Sequence, residues 1–224
     1  MIQAIVTDIE GTTSSLSFVR DVLFPYSAAQ LPDFVRARAG EPEVAAILAD
    51  AAQTLGEPDA DLERLIDQFL AWIAGDAKIT PLKALQGLIW EYGYLRGDFA
   101  GHIYLDAVEG LREFKRQGLA LYVYSSGSVH AQKLLFSHTE YGDLTPLFSG
   151  YFDTASGGKK ETASYQRIAA AIGAPASALL FLSDIEEELD AAAAAGWQTY
   201  WLVRGLTPQP ARHRQVSSFA EIRL

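Results

Sequence analysis

Four short apolar runs, each followed by a polar residue able to do chemistry, constrain the fold of this chain most strongly. The runs cover residues 4–6, 121–124, 179–182 and 200–203. The polar residues that follow them are Asp8, Ser125, Asp184 and Arg204. Runs this short and continuously apolar are typical of strands buried on both faces of a parallel sheet. The pattern predicts such a sheet, with polar side chains at its strand ends.

Amphipathic helical patterns lie between the later runs. They cover residues 107–117, 163–172 and 187–195, and a glycine that can stop a helix follows each one. Strands that alternate with helices indicate an open α/β sheet. Ligands of such sheets bind beyond the carboxyl ends of the strands, where Asp8, Ser125 and Asp184 fall.

The segment 18–104 has a different pattern, with no clear strand. Helical stretches are predicted at residues 28–38, 44–55, 62–74 and 81–91, separated by Gly and Pro breaks. We interpret this segment as a helical cap inserted into an α/β core. The predicted core is residues 1–17 together with 105–224.

Composition narrows the classes of function. The 224 residues are 49% hydrophobic and 21% charged, as in an ordinary globular protein. The net charge of −10 argues against a nucleic-acid partner, because phosphate backbones require clustered cations. Without cysteine there is no disulfide or thiolate site. No signal peptide or run of ~20 apolar residues is present, so we expect a cytoplasmic protein without a membrane partner. We also expect a monomer.

Asp8 and Glu10 stand one residue apart at the end of the first run. In an extended segment, side chains at i and i+2 point the same way, so the two carboxylates are expected to converge. Adjacent anions need a cation between them or a proton on one of them. That predicts a hard metal ion, a nucleophile paired with an acid, or both; the alternative is an ordinary turn.

Other strand ends offer groups that suit an oxyanion. Ser125, Ser126 and Gly127 supply hydroxyl and amide donors, and a helix starting near Val129 is expected to add its N-terminal amides. Lys159 follows two glycines, but the surrounding residues do not form a Walker phosphate loop. The four histidines lack metal-ligand spacing. Together these residues indicate phosphoryl transfer through an aspartyl intermediate, although each motif alone also fits a turn or a solvated helix end.

The order of these motifs resembles that of the haloacid dehalogenase-like phosphohydrolases. The matching stretches are Asp8-Ile9-Glu10-Gly11-Thr12, Ser125-Ser126-Gly127, Lys159, and Ser183-Asp184 with Glu188. That resemblance implies a Rossmann-like core with an inserted cap. Most of these phosphatases have a second Asp at the position of Glu10. In carrying Glu there, the chain resembles the enolase-phosphatases of methionine salvage.

The resemblance implies roles for the acidic residues. Asp8 is expected to be the nucleophile and a Mg²⁺ ligand, and Asp184 the second metal carboxylate. Glu10 is expected to give its carbonyl to the metal and its side chain to proton transfer. Its extra methylene could let it serve both enolisation and phosphate release.

The resemblance also implies the substrate, 2,3-diketo-5-methylthiopentyl 1-phosphate, and the groups that bind it. Ser125, Ser126 and Lys159 are expected to hold the transferring phosphate, although Lys160 is an alternative to Lys159. The expected supporting residues are Thr12, Gly127 and Glu188, with Glu188 orienting a metal-bound water. Aromatic residues of the cap are either its core or walls around the methylthio chain: Phe18, Trp90, Tyr92 and Tyr94.

Two other functions remain open. A small-molecule phosphatase of the same superfamily would use the same residues without the enolase step. A non-catalytic, phospho-accepting metal-binding module would share the acidic pocket, hydroxyl and lysine, although such domains are about half this length and have no cap.

Overall fold

The computed structural model describes residues 1–205 and 212–224. The chain forms two compact units, residues 1–16 with 100–224, and residues 17–99. The first is an α/β unit and the second is entirely helical over its described length. The domain boundaries predicted from the sequence stay a prediction.

The described residues of the α/β unit form a six-stranded parallel sheet in the order β3-β2-β1-β4-β5-β6. The strands are β1 Ala4–Thr7, β2 Ala120–Tyr124, β3 Gly150–Phe152, β4 Leu179–Ser183, β5 Gln198–Leu202 and β6 Arg214–Val216. All four apolar runs are strands, and the predicted fold class is confirmed. The sequence does not predict β3 and β6, because each has only three residues and neither is a continuous buried run.

The α-helices complete both units. In chain order they are α1 Leu16–Phe18, α2 Phe24–Arg38, α3 Pro42–Leu55, α4 Leu62–Ala74, α5 Thr80–Arg96, α6 Leu105–Arg116, α7 Val129–Ser137, α8 Thr162–Ile172 and α9 Glu186–Ala194. A π-helical turn, Val19–Leu23, joins α1 to α2. Short 3₁₀ turns lie at Thr145–Leu147, Thr154–Ser156, Ala176–Ala178 and Phe219–Glu221. No helix within the described ranges is long and apolar enough to cross a membrane.

The core of the α/β unit packs strand side chains against α8 and α9. Val6, Tyr124 and Phe181 of the three central strands belong to one buried cluster with Tyr165 and Leu189. β1 and β4 are buried at every position, as expected for the middle of a parallel sheet. The carboxyl ends of β1, β2 and β4 are therefore held in place by a tightly packed core.

The helical unit has a core of its own, built around Leu31, Ile66, Phe69 and Leu85. Helix α5 continues past Gly93, where an added Cβ would come within 2.8 Å or less of the Tyr26 and Phe99 rings. Glycine at this position permits that close approach.

The aromatic residues of the helical unit divide into core and surface. Phe18 and Tyr94 are buried and both pack edge-on against Phe99. Trp90 donates to the Leu23 carbonyl at 2.9 Å. Tyr92 is partly exposed and accepts a hydrogen bond from an arginine of the same helix. Phe18 and Tyr94 therefore fit the core alternative.

Candidate active site

Asp8 lies at the start of a tight turn, one residue beyond the end of β1. Its amide N–H donates to the Leu182 carbonyl at 2.9 Å, and its carboxylate accepts the Ile9 N–H at 2.7 Å. The next residues curl back, because the amides of residues 12, 13 and 14 all donate to the Ile9 carbonyl. Gly11 permits this turn with a φ of +73°.

The turn shows that the extended backbone assumed for Asp8 and Glu10 is wrong, while the convergence of their carboxylates stays a prediction. That prediction assumed an extended backbone through residue 10, whereas the strand ends at Thr7. Asp8 is 4% exposed, and Glu10 is exposed at the surface of the turn. The two carboxylates therefore occupy different environments.

A single buried lysine pairs with two carboxylates at the centre of the site. The Lys159 ammonium lies 2.7 Å from Asp8 Oδ1 and 2.7 Å from Glu188 Oε2, with all three side chains less than 10% exposed. Lys160 is exposed and lies 3.7 Å from Glu187. Of these two lysines, the structure brings Lys159 to Asp8.

Two tyrosine hydroxyls hold the loop that carries Lys159. Tyr165 donates to the Lys159 carbonyl at 2.6 Å, and Tyr124 donates to the Gly157 carbonyl at 2.9 Å. Both tyrosine rings are fully buried. The backbone of the loop that carries the Lys159 ammonium is therefore fixed by two buried side chains.

Glu188 is held by a second set of contacts on the first turn of α9. Ser183 donates to Glu188 Oε2 at 2.9 Å, and the Ile185 N–H donates to the Ser183 hydroxyl at 3.1 Å. Burial lowers the pKa of the Lys159 ammonium, but the Asp8 and Glu188 carboxylates outweigh this and raise it overall. The lysine is thus a permanent cation between two acids.

Asp184 lies directly against the Asp8 turn. A Cβ added to Gly11 would meet Asp184 Oδ2 at 2.0 Å, so only glycine leaves room for this carboxylate. Its backbone carbonyl accepts the Trp201 indole N–H at 2.9 Å. Burial and the charge of Asp8 raise the pKa of Asp184 to about 7. After burial, the largest cause of the shift is the negative charge of Asp8, which disfavours a second anion nearby.

The serine loop follows β2, which pairs with β1 so that Val123 stands opposite Thr7. Ser125 is buried, and its Oγ accepts the Gly127 N–H at 3.2 Å. This contact orients the hydroxyl, whose proton can still be donated. Ser126 is exposed on the same loop.

The sequence predicts that the N-terminal N–H groups of α7 bind an anion, but protein side chains already accept their hydrogen bonds. The Val129 N–H donates to Asp153 Oδ2 at 3.3 Å, and the Ala131 N–H donates to the Ser128 hydroxyl at 3.2 Å. Asp153 comes from the loop after β3, a strand that the sequence does not predict. The carboxylate stabilises this helix end in place of a ligand.

Comparison with known proteins identifies the family. The model of the haloacid dehalogenase-like hydrolases matches residues 2–196. The Enolase-phosphatase E1 of Pseudomonas aeruginosa strain UCBPP-PA14 is 62% identical over 221 residues, which are 99% of this chain and 98% of that protein. The Enolase-phosphatase E1 of Methylococcus capsulatus is 57% identical over 223 residues, covering 100% and 98%.

The chain belongs to the enolase-phosphatases, within the haloacid dehalogenase-like hydrolases. A solved structure of similar shape is that of the Unknown transcript 4 protein of Saccharomyces cerevisiae. It has a TM-score of 0.85 and 37% identity, and the match covers 99% of this chain and 100% of that one.

Phosphatases of this superfamily generally depend on a metal ion, and the donor set of this enolase-phosphatase fits one. Within residues 1–205 and 212–224 there is no cluster of three or more His, Cys, Asp or Glu that could hold a metal. Two carboxylates are present, Asp8 and Asp184, and they repel each other. A hard ion that binds one or two carboxylates and completes its shell with carbonyls, water and phosphate suits this arrangement.

Gln132 is a buried residue of this enolase-phosphatase whose importance the sequence does not signal. Its amide nitrogen donates to the Gly127 carbonyl at 2.8 Å and to the Phe152 carbonyl at 2.9 Å. It therefore ties the serine loop to β3. In the sequence, this role shows only as a polar residue within a helical stretch. The roles of Tyr124 and Tyr165 are equally hard to predict, because both resemble ordinary core residues.

Proposed function

We propose that this chain is an acireductone synthase of methionine salvage. It enolises 2,3-diketo-5-methylthiopentyl 1-phosphate and then releases phosphate to leave the acireductone. One observation carries the proposal: a buried Asp8–Lys159 pair at a strand end, in a chain about 60% identical to enolase-phosphatases over nearly its whole length.

Asp8 acts as the nucleophile in phosphate release. Its carboxylate oxygen attacks phosphorus, and the bond from phosphorus to the substrate oxygen breaks. Water then attacks phosphorus in the aspartyl phosphate, which returns Asp8 as a carboxylate and releases phosphate. The Leu182 carbonyl anchors the Asp8 amide and the Ile9 N–H anchors its carboxylate, which keeps the carboxyl group in one position for both steps.

Glu10 moves the protons. In enolisation it takes a proton from the carbon that bears the phosphate ester and delivers it to the neighbouring carbonyl oxygen, which becomes the enol hydroxyl. In phosphate release it protonates the leaving oxygen and later accepts a proton from the attacking water. Its exposed position on the turn leaves it accessible to substrate, and such acid–base catalysis contributes roughly 10²–10⁴-fold.

Lys159, Ser125 and Ser126 bind the transferring phosphate and neutralise its oxygens. Gly127 and Thr12 support the two loops, and Glu188 keeps Lys159 charged and in place. Its predicted orientation of a metal-bound water stays a prediction.

Asp8, Asp184 and the Glu10 carbonyl are the proposed Mg²⁺ ligands. When bound, Mg²⁺ supplies Lewis-acid stabilisation of negative charge on phosphate and on the enediolate. The proposed working form is a cytoplasmic monomer.

The decisive assay follows the enediol chromophore and phosphate together after the diketone phosphate is added. We expect both products with Mg²⁺ and neither with a chelator. Phosphate release without any enediol would favour a phosphatase that lacks the enolase step. Hydrolysis of an aryl phosphate alone does not separate the two functions.

A further inference from the structure

Arg204 is the polar residue that follows the apolar run of β5, as Asp8, Ser125 and Asp184 follow the runs of their strands. The proposed reaction does not use it. Its side chain is only 15% exposed. Its Nε donates to the Thr12 carbonyl at 2.7 Å, and its two Nη atoms lie 3.0 and 3.2 Å from the carboxylate oxygens of Asp106. The guanidinium carbon lies 3.9 Å from the centre of the Tyr104 ring.

The partners of Arg204 are themselves fixed. Asp106, in the first turn of α6, also accepts the Ser218 hydroxyl at 3.1 Å and the Phe219 N–H at 2.9 Å. The Tyr104 N–H donates to the Thr13 carbonyl at 2.9 Å. The guanidinium is therefore a rigid connection between α6 and the turn that begins at Asp8.

Thr12 is held through its backbone, because its N–H donates to the Ile9 carbonyl at 3.2 Å and its carbonyl accepts from Arg204. Its hydroxyl is buried and makes no hydrogen bond within the described residues. Hydrogen bonds to the Ile9 carbonyl close the turn from within, and the contact from Arg204 fixes it from outside. A planar guanidinium that donates to a carbonyl and a carboxylate at once is not replaced by lysine.

The contact affects the two acids of the turn unequally. Asp8 has anchors of its own in the Leu182 carbonyl and Lys159. Glu10 lies between those anchors and Thr12, two residues from the atom that Arg204 holds. A displacement of Thr12 therefore moves the loop that carries Glu10, whereas the Asp8 carboxylate stays held by the Ile9 N–H and the Lys159 ammonium.

We infer that Arg204 is a positioning residue that sets the place of Glu10 for enolisation through the Thr12 carbonyl. The inference rests on the proposed function, because it assigns the proton transfer to Glu10. A displacement of about 1 Å in a catalytic group can cost on the order of 100-fold in rate.

The test compares two reactions of the same variants. Enolisation is measured as enediol formation from the diketone phosphate, and attack by Asp8 is measured with nitrophenyl phosphate, whose leaving group departs without a proton. We expect Arg204→Met and Arg204→Lys to slow enolisation by about 10- to 100-fold. The single-turnover burst of nitrophenolate reports attack by Asp8 and precedes the water attack that Glu10 assists, so its rate should change by less than about threefold. The lysine variant keeps the charge and decides the outcome if the methionine variant does not fold.

Arg116→Met is the matched control, because Arg116 makes a two-point ion pair with Glu113 on the surface of α6. It should leave both rates unchanged. Equal loss of both reactions in the Arg204 variants, or no loss, would overturn the inference. Absence of enediol formation by the wild-type protein would instead overturn the proposed function.

Discussion

Lys159 and Asp8 form a buried ion pair with 2.7 Å between the ammonium nitrogen and the carboxylate oxygen. The same ammonium contacts Glu188, and Asp184 lies against the turn that begins at Asp8. The site therefore holds three acids and one lysine. Without a second cation the site has an excess of negative charge, which is consistent with a metal-dependent family.

Removing the lysine should affect both stability and activity. Lys159→Met leaves buried carboxylates without their cation, a change that typically costs about 3–5 kcal/mol of unfolding free energy. Phosphate release should fall at least about 100-fold. Denaturant unfolding and a phosphate assay measure the two effects.

Lys160→Met is the control for that experiment, since Lys160 is the exposed neighbour. It should change stability by less than about 0.5 kcal/mol and leave turnover unchanged. A larger effect of Lys160→Met than of Lys159→Met on phosphate release would contradict the assignment of the phosphate-binding lysine.

Tyr165→Phe should loosen the loop that carries Lys159. It removes the hydroxyl that donates to the Lys159 carbonyl, at a cost of about 1–2 kcal/mol. Turnover should fall about tenfold. Tyr200→Phe is the matched variant, because Tyr200 donates to the Arg223 carbonyl at 2.9 Å, in a different part of the α/β unit. It should lose similar stability with normal turnover; an equal fall in turnover would show that the effect is general.

The sequence predicts elements that depend on local pattern. It predicts α4 at its observed bounds, because Asp61 accepts the Arg64 N–H at the start and Gly75 follows the end. It also predicts the strand ends that carry Asp8, Ser125 and Asp184. These are consequences of apolar runs and of helix stop signals.

What it does not predict depends on residues far apart in the chain. The pairing of Asp153 with the Val129 amide requires β3, whose three residues have no distinguishing pattern. The different environments of Asp8 and Glu10 follow from the turn at Gly11, which forms because β1 ends at Thr7. Arg204 reaches Thr12 across 192 positions of sequence, and no local pattern indicates that contact.

Asp184 should make the stability of the metal-free protein depend on pH. Its pKa is about 7 in the folded protein, against roughly 3.9 in an unfolded chain. Because the folded protein holds the Asp184 proton more tightly than the unfolded chain does, Asp184 lowers the free energy of unfolding as the pH rises from about 4 to 7. Below about pH 4 this loss of stability is absent. Asp184→Asn should therefore raise the Tm of the metal-free protein at pH 8, with a smaller gain at pH 5.

The same variant tests metal binding without an activity assay. Mg²⁺ should raise the Tm of the wild-type protein at pH 8 and have much less effect on Asp184→Asn. Asp59→Asn, a change at an exposed acid of the helical unit, should leave both curves unchanged. Equal protection of all three proteins by Mg²⁺ would contradict the role of Asp184 as a ligand.

Glu10→Asp should separate the two half-reactions. The shorter side chain withdraws the carboxyl group by about one bond length, while the backbone carbonyl proposed as a metal ligand is kept. Enediol formation from the diketone phosphate should fall more than phosphate release from nitrophenyl phosphate. Equal losses would mean that Glu10 does not carry the enolisation.

The most direct measurement of the central claim is the rate of phosphate release by Asp8→Asn with the diketone phosphate and Mg²⁺. Asparagine keeps the shape of the side chain but is a poor nucleophile. The account predicts a loss of at least about 1,000-fold relative to the wild-type protein. Phosphate release at the wild-type rate would contradict it.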